Sequence, residues 1–239
     1  MSLVTERIVR KKLSDEVFAR LKQLIENGEL KAGDDMPSER ELMERFGVGR
    51  PAIREAMQAL AGKGLVEISH GERAKVLQVT AESIFRQVDL PAKLMLSGSS
   101  DSLEHLKSAR IFFERGMVRE AATKATKEDI ADLRALLDKQ GQNIGDSERF
   151  IEADMAFHQK IAQISGNPIF AAVSGAMLGW LKSYHTEMLI WTGRENFTLA
   201  EHEEIIRAIE KRDVDLAEKA MIKHLERSRA LYALKNNKS

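Results

Sequence analysis

The spacing of apolar side chains divides this chain into two parts of different character. Residues 1–80 combine short helical patterns with two strand-like runs, at 65–68 and 74–79, whereas residues 101–235 repeat apolar positions every three or four residues almost throughout. Residues 81–100 lie between these parts and are expected to form a linker helix. The pattern predicts a mainly α protein with a small mixed N-terminal domain, a linker, and an all-α antiparallel helical bundle.

Start and stop signals in the first part predict three helices ahead of the strand-like runs. An amphipathic helix is expected over residues 13–27. Ser38 and Glu41 then have the spacing of a capping box, and Gly47-Val48-Gly49 followed by Pro51 predicts a tight turn into a third helix. Two short helices joined by a tight glycine turn are typical of a helix-turn-helix, and the two strands after them would form a wing.

Five residues of this winged helix-turn-helix are candidates for contact with DNA. Arg50 and Arg54 lie one turn apart near the start of the third helix, opposite its apolar face. The start of that helix reads base edges in this motif, and an arginine fork can bond guanine bidentately. Arg40 in the second helix, and His70 with Gly71 in the wing, suit phosphate or minor-groove contacts. The alternative interpretation is that the arginines belong to a solvated charged face without a binding role. The surrounding helix-turn-helix motif favours the DNA contact.

The charge balance at first argues against nucleic acid as a partner. The 239 residues carry 37 basic and 37 acidic side chains, and residues 1–80 hold 14 basic and 13 acidic ones. Weak non-specific binding and a strong dependence on correct base contacts are therefore expected. The absence of cysteine excludes disulfides, thiolate zinc sites and cysteine nucleophiles. The N-terminus lacks an apolar signal segment and no membrane span is evident, so a cytoplasmic location is expected.

In the second part, residues that can bind metals interrupt the apolar stripes of three helices. Asp154 and His158 are one turn apart on one stripe, His202 lies on a second and His224 on a third. Burying these groups without partners would cost several kcal/mol, and convergence on a divalent metal would remove that cost. Such ligands suit zinc, with nickel, manganese or iron as alternatives. A single core histidine is more often simply hydrogen-bonded, but three interrupted stripes together favour a metal site.

Arg110 is a further charge on an apolar stripe. It shares the stripe with Leu106, Phe113 and Met117, and Glu114 follows one turn later. One interpretation is an internal Arg–Glu ion pair. The other is that Arg110 binds the carboxylate of a small effector, because its planar fork matches that group.

A metalloenzyme is the rival interpretation of the metal-binding residues, because an open metal position also supports hydrolysis. The sequence has no HExxH motif and no obvious general base beside the candidate ligands. We therefore expect a DNA-binding regulator and not an enzyme. A homodimer is expected, because two winged helices related by a two-fold axis would read a palindromic operator in double-stranded DNA.

Residues 37–76, PSERELMERFGVGRPAIREAMQALAGKGLVEISHGERAKV, resemble the winged-helix domain of bacterial GntR-family transcription regulators. The resemblance implies DNA contacts for Arg40, Arg50 and Arg54, and for His70 with Gly71 in the wing. The second part resembles the helical FCD ligand-binding domain of the FadR-type subfamily. The motifs that carry this likeness are Arg110-x-x-x-Glu114, Asp154-x-x-Phe157-His158, Gly166-Asn167-Pro168, Glu201-His202 and His224-Leu225.

The FCD resemblance implies that an Asp and three His hold a metal, that an organic or sugar acid coordinates it, and that an arginine clamps the carboxylate. Within the subfamily the likeness is greatest to sialic-acid-responsive repressors, through the segments VGRP, HGERA, FFE and GNPIF. It implies a repressor of a sugar-acid or organic-acid catabolic operon with sialic acid as its effector. A hexuronate or a small organic acid is the alternative effector.

Overall fold

The computed structural model describes residues 11–185 and 195–236, which are mainly helical. The chain separates after Gln87 into two compact units, each with its own apolar core. Within the described ranges, no helix is both long and apolar enough to cross a membrane.

The first unit is a winged helix-turn-helix. Its elements are α1 (Leu13–Glu26), α2 (Glu39–Phe46), α3 (Arg50–Gly62), β1 (Val66–Glu67), β2 (Lys75–Val76) and α4 (Ala81–Gln87). Both α1 and α2 pack against α3. The inward face of α3 follows the i, i+3, i+4, i+7 pattern expected from the sequence and consists of Ile53, Ala56, Met57 and Leu60.

Local chemistry sets the bounds of α2 and the start of α3. Ser38 Oγ accepts from the Glu41 backbone N–H at 3.2 Å, and Glu41 Oε2 accepts from the Ser38 backbone N–H at 2.6 Å, which completes the predicted capping box. Gly47 ends α2 at φ +65°, a left-handed conformation that favours glycine. Pro51 lies in the first turn of α3, where its missing N–H breaks no helical hydrogen bond.

The wing is a short antiparallel hairpin in which Val66 pairs with Val76. Each strand has two residues, so both are shorter than the runs 65–68 and 74–79 that the sequence suggested. The physical reason is burial. The two paired valines face the core, whereas Ile68 beyond them is exposed and has no second layer to pack against.

The segment 81–100, expected to be one linker helix, contains two helices and the first residue of a third. α4 ends at Gln87 and α5 (Asp89–Ser97) begins two residues later. Pro91 explains the break, because a proline lacks the N–H that would bond the carbonyl of Gln87 and its ring clashes with that carbonyl. Within α5, Pro91 lies in the first turn, where neither penalty applies.

The second unit continues from α5 as an antiparallel helical bundle. Its further helices are α6 (Ser100–Lys124), α7 (Lys127–Gln142), α8 (Ser147–Ile164), α9 (Pro168–His185), α10 (Glu195–Glu210) and α11 (Val214–Asn236). In its core, α6 packs on α8 and α11, and α10 packs on α7 and α11. Phe157, Ile205, Ile206, Ile209 and Met221 are among the buried side chains there. The predicted fold class is confirmed.

The inward stripe of α6 differs in one position from the expectation. Leu106, Arg110 and Met117 are buried, but Phe113 is 38% exposed and Glu114 is buried instead. Phe113 lies at the edge of the stripe, where it lines a surface groove and does not enter the core.

Candidate metal centre and DNA-binding surface

Three helices of the second unit bring four potential metal ligands to one point. α8 supplies Asp154 and His158, α10 supplies His202, and α11 supplies His224. One ligand atom from each residue lies within 4.8 Å of all the others. His202 Nε2 is 3.3 Å from His224 Nε2 and 3.5 Å from Asp154 Oδ1. His158 Nε2 is 3.8 Å from Asp154 Oδ2. The four residues singled out in the sequence therefore form one cluster.

Two of the imidazoles are oriented by buried carboxylates. His158 Nδ1 lies 2.5 Å from Glu114 Oε2, and His224 Nδ1 lies 2.9 Å from Glu201 Oε2. An ionised carboxylate can only accept, so each Nδ1 donates and leaves the Nε2 lone pair directed into the cluster. Arg227 donates to both oxygens of Glu201, each at 2.7 Å, and holds that carboxylate in place. Acceptors of this kind commonly fix the tautomer of metal-binding histidines.

The third imidazole is oriented by an amide. His202 Nδ1 donates to Gln140 Oε1 at 2.8 Å, and Gln140 Nε2 donates to Asp154 Oδ1 at 3.1 Å. Gln140 is fully buried, and these two bonds engage both ends of its amide. The ring of Phe157 stacks on His202 with centroids 4.1 Å apart, which fixes the plane of the imidazole. The bundle thus orients His202 from two sides.

The donor chemistry of the cluster fits a divalent metal. Burial, as the largest cause, lowers the pKa of His202 well below its usual value and also lowers that of His224, so both are neutral at pH 7. Their Nε2 lone pairs therefore face each other. His158 Nε2 is buried without a hydrogen-bond partner in the part of the chain that the structure describes. Zinc with bonds of about 2.1 Å would separate tetrahedral ligands by about 3.4 Å, close to the distances from His202 Nε2 to His224 Nε2 and to Asp154 Oδ1.

Three carboxylates lie in or next to the cluster, those of Glu114, Asp154 and Glu201, and only two of them are paired with an arginine in the described residues. Burial opposes ionisation of Glu114, but the charge of Arg110 and the hydrogen bonds from His158 and Arg110 outweigh it and lower the pKa to about 2. Burial likewise opposes ionisation of Glu201, whose pKa is lowered to about 2 by hydrogen bonds from its imidazole partner and from Arg227. Each glutamate thus has its own arginine. Asp154 has no arginine of its own in the ion pairs of the described residues.

Arg110 lies beside the cluster as a buried ion pair. Its Nε donates to Glu114 Oε1, and Glu114 in turn holds His158. Its Nη2 is also buried but has no partner among the residues that the structure describes. The two interpretations of Arg110 are therefore compatible, because the guanidinium binds Glu114 through one nitrogen and keeps another for a ligand.

In the first unit, α3 presents two arginines to solvent at its N-terminal end. The side chains of Arg50 and Arg54 are 60% and 62% exposed. Glu39, the first residue of α2, lies 3.4 Å from Arg50 Nε and accepts from Arg54 Nε at 2.7 Å. One carboxylate therefore holds both guanidinium groups next to each other on the surface of α3.

The other three candidates for DNA contact are also accessible. Arg40 is exposed in the first turn of α2, where Glu44 lies 3.8 Å from its Nε. His70 and Gly71 are exposed in the turn between β1 and β2. Gly71 has φ +78°, a conformation that favours glycine and lets the wing turn tightly.

Gln140, Glu39 and Arg227 were not singled out from the sequence. Gln140 lies on the same face of α7 as Leu133 and Leu137, so it interrupts an apolar stripe just as the histidines do, and this signal could have identified it. Glu39 belongs to the PSEREL segment, but its link to Arg50 and Arg54 depends on the packing of α2 against α3. The spacing of apolar residues along the chain does not predict how α2 packs against α3.

Comparisons with known proteins agree with this architecture. The model of the FCD domain matches residues 105–227, and that of the bacterial regulatory proteins of the gntR family matches residues 13–76. The HTH-type transcriptional repressor NanR of Cronobacter sakazakii is 42% identical over 228 residues, which are 94% of this chain and 86% of that protein. The NanR repressor of Salmonella newport is 40% identical over 240 residues, which are 100% of this chain and 92% of that protein.

A solved structure shows the same fold. Streptococcus agalactiae GntR superposes with a TM-score of 0.64 at 24% sequence identity, over 91% of this chain and 99% of that one. The family matches also decide between the two classes of function weighed from the sequence, a metalloenzyme and a regulator. This chain belongs to the GntR family of bacterial transcriptional regulators and carries an FCD domain.

Proposed function

We propose that this chain is a transcriptional repressor whose binding to its operator is controlled by a carboxylate effector. The observation that carries the proposal is the cluster of Asp154 and three imidazoles, with Arg110 Nη2 buried next to it and unpaired among the described residues. The same chain also exposes two arginines at the start of α3. The relatives at 40–42% identity are named as repressors, which supports repression as the mode of action.

In this proposal the winged helix reads DNA through two kinds of contact. Arg50 and Arg54 contact base edges in the major groove, whereas Arg40, His70 and Gly71 contact phosphates or the minor groove. The first unit is nearly neutral overall, so phosphate attraction contributes little and specificity depends on the base contacts.

The effector site combines a metal with Arg110. Asp154, His158, His202 and His224 would hold a divalent cation, which we propose to be zinc, with nickel, manganese or iron as alternatives. When bound, the cation would supply an electrophilic anchor for an anionic ligand. Arg110 Nη2 donates to the carboxylate of that ligand while Nε stays on Glu114.

We propose sialic acid as the effector and a sugar-acid catabolic operon as the target, with a hexuronate or a small organic acid as the alternative effector. The test uses a duplex that the protein selects from a random-sequence pool. Fluorescence anisotropy then measures operator binding in the presence of N-acetylneuraminate, glucuronate or malate. We expect N-acetylneuraminate alone to raise the operator Kd. An effect of glucuronate or malate instead would support the alternative, and no effect of any acid would refute control by a carboxylate.

The chain is proposed to act as a homodimer through the surface of the second unit that carries Phe112. This side chain is 73% exposed on α6 and borders a groove of about 500 Å³. Phe113, Met117 and Phe170 are among the apolar residues that line the groove. A projecting ring beside a groove on the same face is self-complementary, because each copy can insert its Phe112 into the groove of the other about a two-fold axis. Such an axis also suits a palindromic operator.

Phe112→Arg is expected to weaken the dimer by roughly 500- to 1,000-fold, because two phenylalanines each lose about 2 kcal/mol of burial at once. Sedimentation velocity over a range of protein concentrations measures the change in dimer dissociation constant. Ile144→Arg, at an exposed apolar position between α7 and α8, is the matched control and should sediment as wild type. A dimer of unchanged stability in Phe112→Arg would place the interface elsewhere.

A further inference from the structure

Two buried polar atoms on α8 and α9 have no role in binding the metal or a carboxylate. Ser174 on α9 is fully buried, and its Oγ has no hydrogen-bond partner within residues 11–185 and 195–236. In the same ranges, Gln159 Oε1 is also buried and unpaired, although Gln159 Nε2 donates to the Ala171 carbonyl at 2.9 Å. A buried polar atom without a partner is costly to folding, and two such atoms on adjacent helices can be satisfied together by one ligand.

The register between α6 and α9 places Ser174 at the level of Arg110. Leu106 on α6 packs in one apolar cluster with Met177 on α9, and Met117 lines the same groove as Phe170. The two helices therefore run antiparallel, with the start of α9 beside the second half of α6. Arg110, one turn after Leu106, then lies level with Ser174, which is one turn before Met177.

The contacts between α8 and α9 show which way Ser174 faces. Gln159 reaches from α8 to Ala171, and its Oε1 lies 3.3 Å from where a Cβ of Gly175 would be. Successive residues of an α-helix are rotated by about 100° about its axis. This rotation places Ser174 between the face of α9 that carries Ala171 and Gly175, toward α8, and the face that carries Met177, toward α6. The side of α9 that carries Ser174 is therefore the side that faces α6 and α8, the helices that carry Arg110 and His158.

We propose that Gln159 and Ser174 form the neutral half of the effector site and bind hydroxyl or amide groups of a sugar acid. This proposal rests on the function proposed above and adds two residues that would select its effector. Gln159 Oε1 can only accept, so it requires an O–H or N–H donor on the ligand, whereas Ser174 can both donate and accept. A polyhydroxylated acid supplies such donors, with its carboxylate directed to Arg110. A simple dicarboxylate supplies none when ionised.

The test compares three acids on the zinc-loaded 239-residue chain by isothermal titration calorimetry. The probes are N-acetylneuraminate, which has hydroxyl and amide donors, glucuronate, which has hydroxyl donors, and succinate, which has neither. Gln159→Leu and Ser174→Ala are each expected to weaken N-acetylneuraminate binding by about tenfold or more, because a ligand group loses its partner. Both variants should bind succinate within about twofold of wild type.

Matched controls separate this role from general packing. Gln163→Leu removes an exposed amide one turn further along α8. Ser14→Ala removes a buried hydroxyl in the first unit that has no partner in the described part of the chain. Both should bind N-acetylneuraminate as wild type does. If Ser174→Ala does not fold, Ser174→Cys keeps the volume and removes the strong hydroxyl donor.

The outcomes distinguish this proposal from the function on which it rests. Wild-type protein that binds N-acetylneuraminate, with both variants equal to it, would overturn the roles of Gln159 and Ser174 alone. Wild-type protein that binds succinate more tightly than N-acetylneuraminate or glucuronate would overturn the sugar-acid class while leaving carboxylate control intact. Wild-type protein that binds no acid at all would refute the proposed function itself.

Discussion

Arg54→Ala is expected to weaken operator binding by about 10- to 100-fold at every salt concentration, because a bidentate contact to guanine contributes about 1–3 kcal/mol of discrimination. Arg54 is exposed at the start of α3, and only a surface carboxylate, that of Glu39, pairs with it in the described part of the chain. Anisotropy titrations of the selected duplex at several salt concentrations measure both the affinity and its salt dependence.

The salt dependence distinguishes base contacts from phosphate contacts. Arg40→Ala should weaken binding to all sequences and reduce the slope of log K against log salt by about 1, whereas Arg54→Ala should leave that slope nearly unchanged and relax specificity at one base pair. Arg20→Ala, at an exposed arginine on α1, is the control of the same residue type and should bind as wild type. Unchanged affinity in Arg54→Ala would refute the assignment of α3 as the reading helix.

His202→Ala is expected to abolish stoichiometric binding of a divalent metal, because it removes the ligand at the centre of the cluster, 3.3 Å from His224 Nε2 and 3.5 Å from Asp154 Oδ1. Gln140→Leu keeps all four ligands but removes the acceptor that orients His202. Gln140→Leu should lower the affinity for the metal by about 10- to 100-fold. Metal content after dialysis, and the rise in Tm when zinc is added to chelator-treated protein, measure the two effects.

His105→Ala is the matched control for these variants, because His105 is an exposed histidine on α6 of the same unit. It should keep the metal content and the Tm response of wild type. Equal metal content in wild type and His202→Ala would show that the cluster is not the metal site. A chelator-treated wild type whose Tm does not respond to zinc, nickel, manganese or iron would show that the imidazoles are core residues.

Much of the fold could be predicted from short-range signals. The capping box of Ser38 and Glu41, the left-handed Gly47 and the apolar face of α3 act within a few residues, so the sequence reports them directly. The break in the linker was harder to predict. α4 ends at Gln87 and α5 begins only two residues later, so the apolar pattern looks helical throughout, and Pro91 alone marks the interruption. Phe113 shows the same limit, since its position at the edge of a stripe does not reveal the groove beside it.

The four clustered residues could be named because each interrupts an apolar stripe on a separate turn or helix. The groups that orient them could not be assigned in the same way. Glu114, Gln140 and Glu201 reach the imidazoles from positions 44, 62 and 23 residues away in the chain, respectively. Such pairs depend on the register between helices, which one sequence does not provide. The role proposed for Ser174 depends in the same way on the register between α6 and α9, because a small buried serine in a helix gives no signal in the sequence.

The central claim is that a carboxylate ligand bound beside the imidazole cluster controls the affinity of the protein for its operator DNA. Arg110→Lys tests it most directly, because lysine keeps a cation beside Glu114 but lacks the guanidinium fork that would bind both Glu114 and the effector. In zinc-loaded wild type, saturating N-acetylneuraminate should raise the operator Kd about 5- to 150-fold, the usual range of allosteric coupling. Arg110→Lys should bind the operator as wild type does without effector and lose that response. An equal response in both proteins, or none in wild type, would contradict the account.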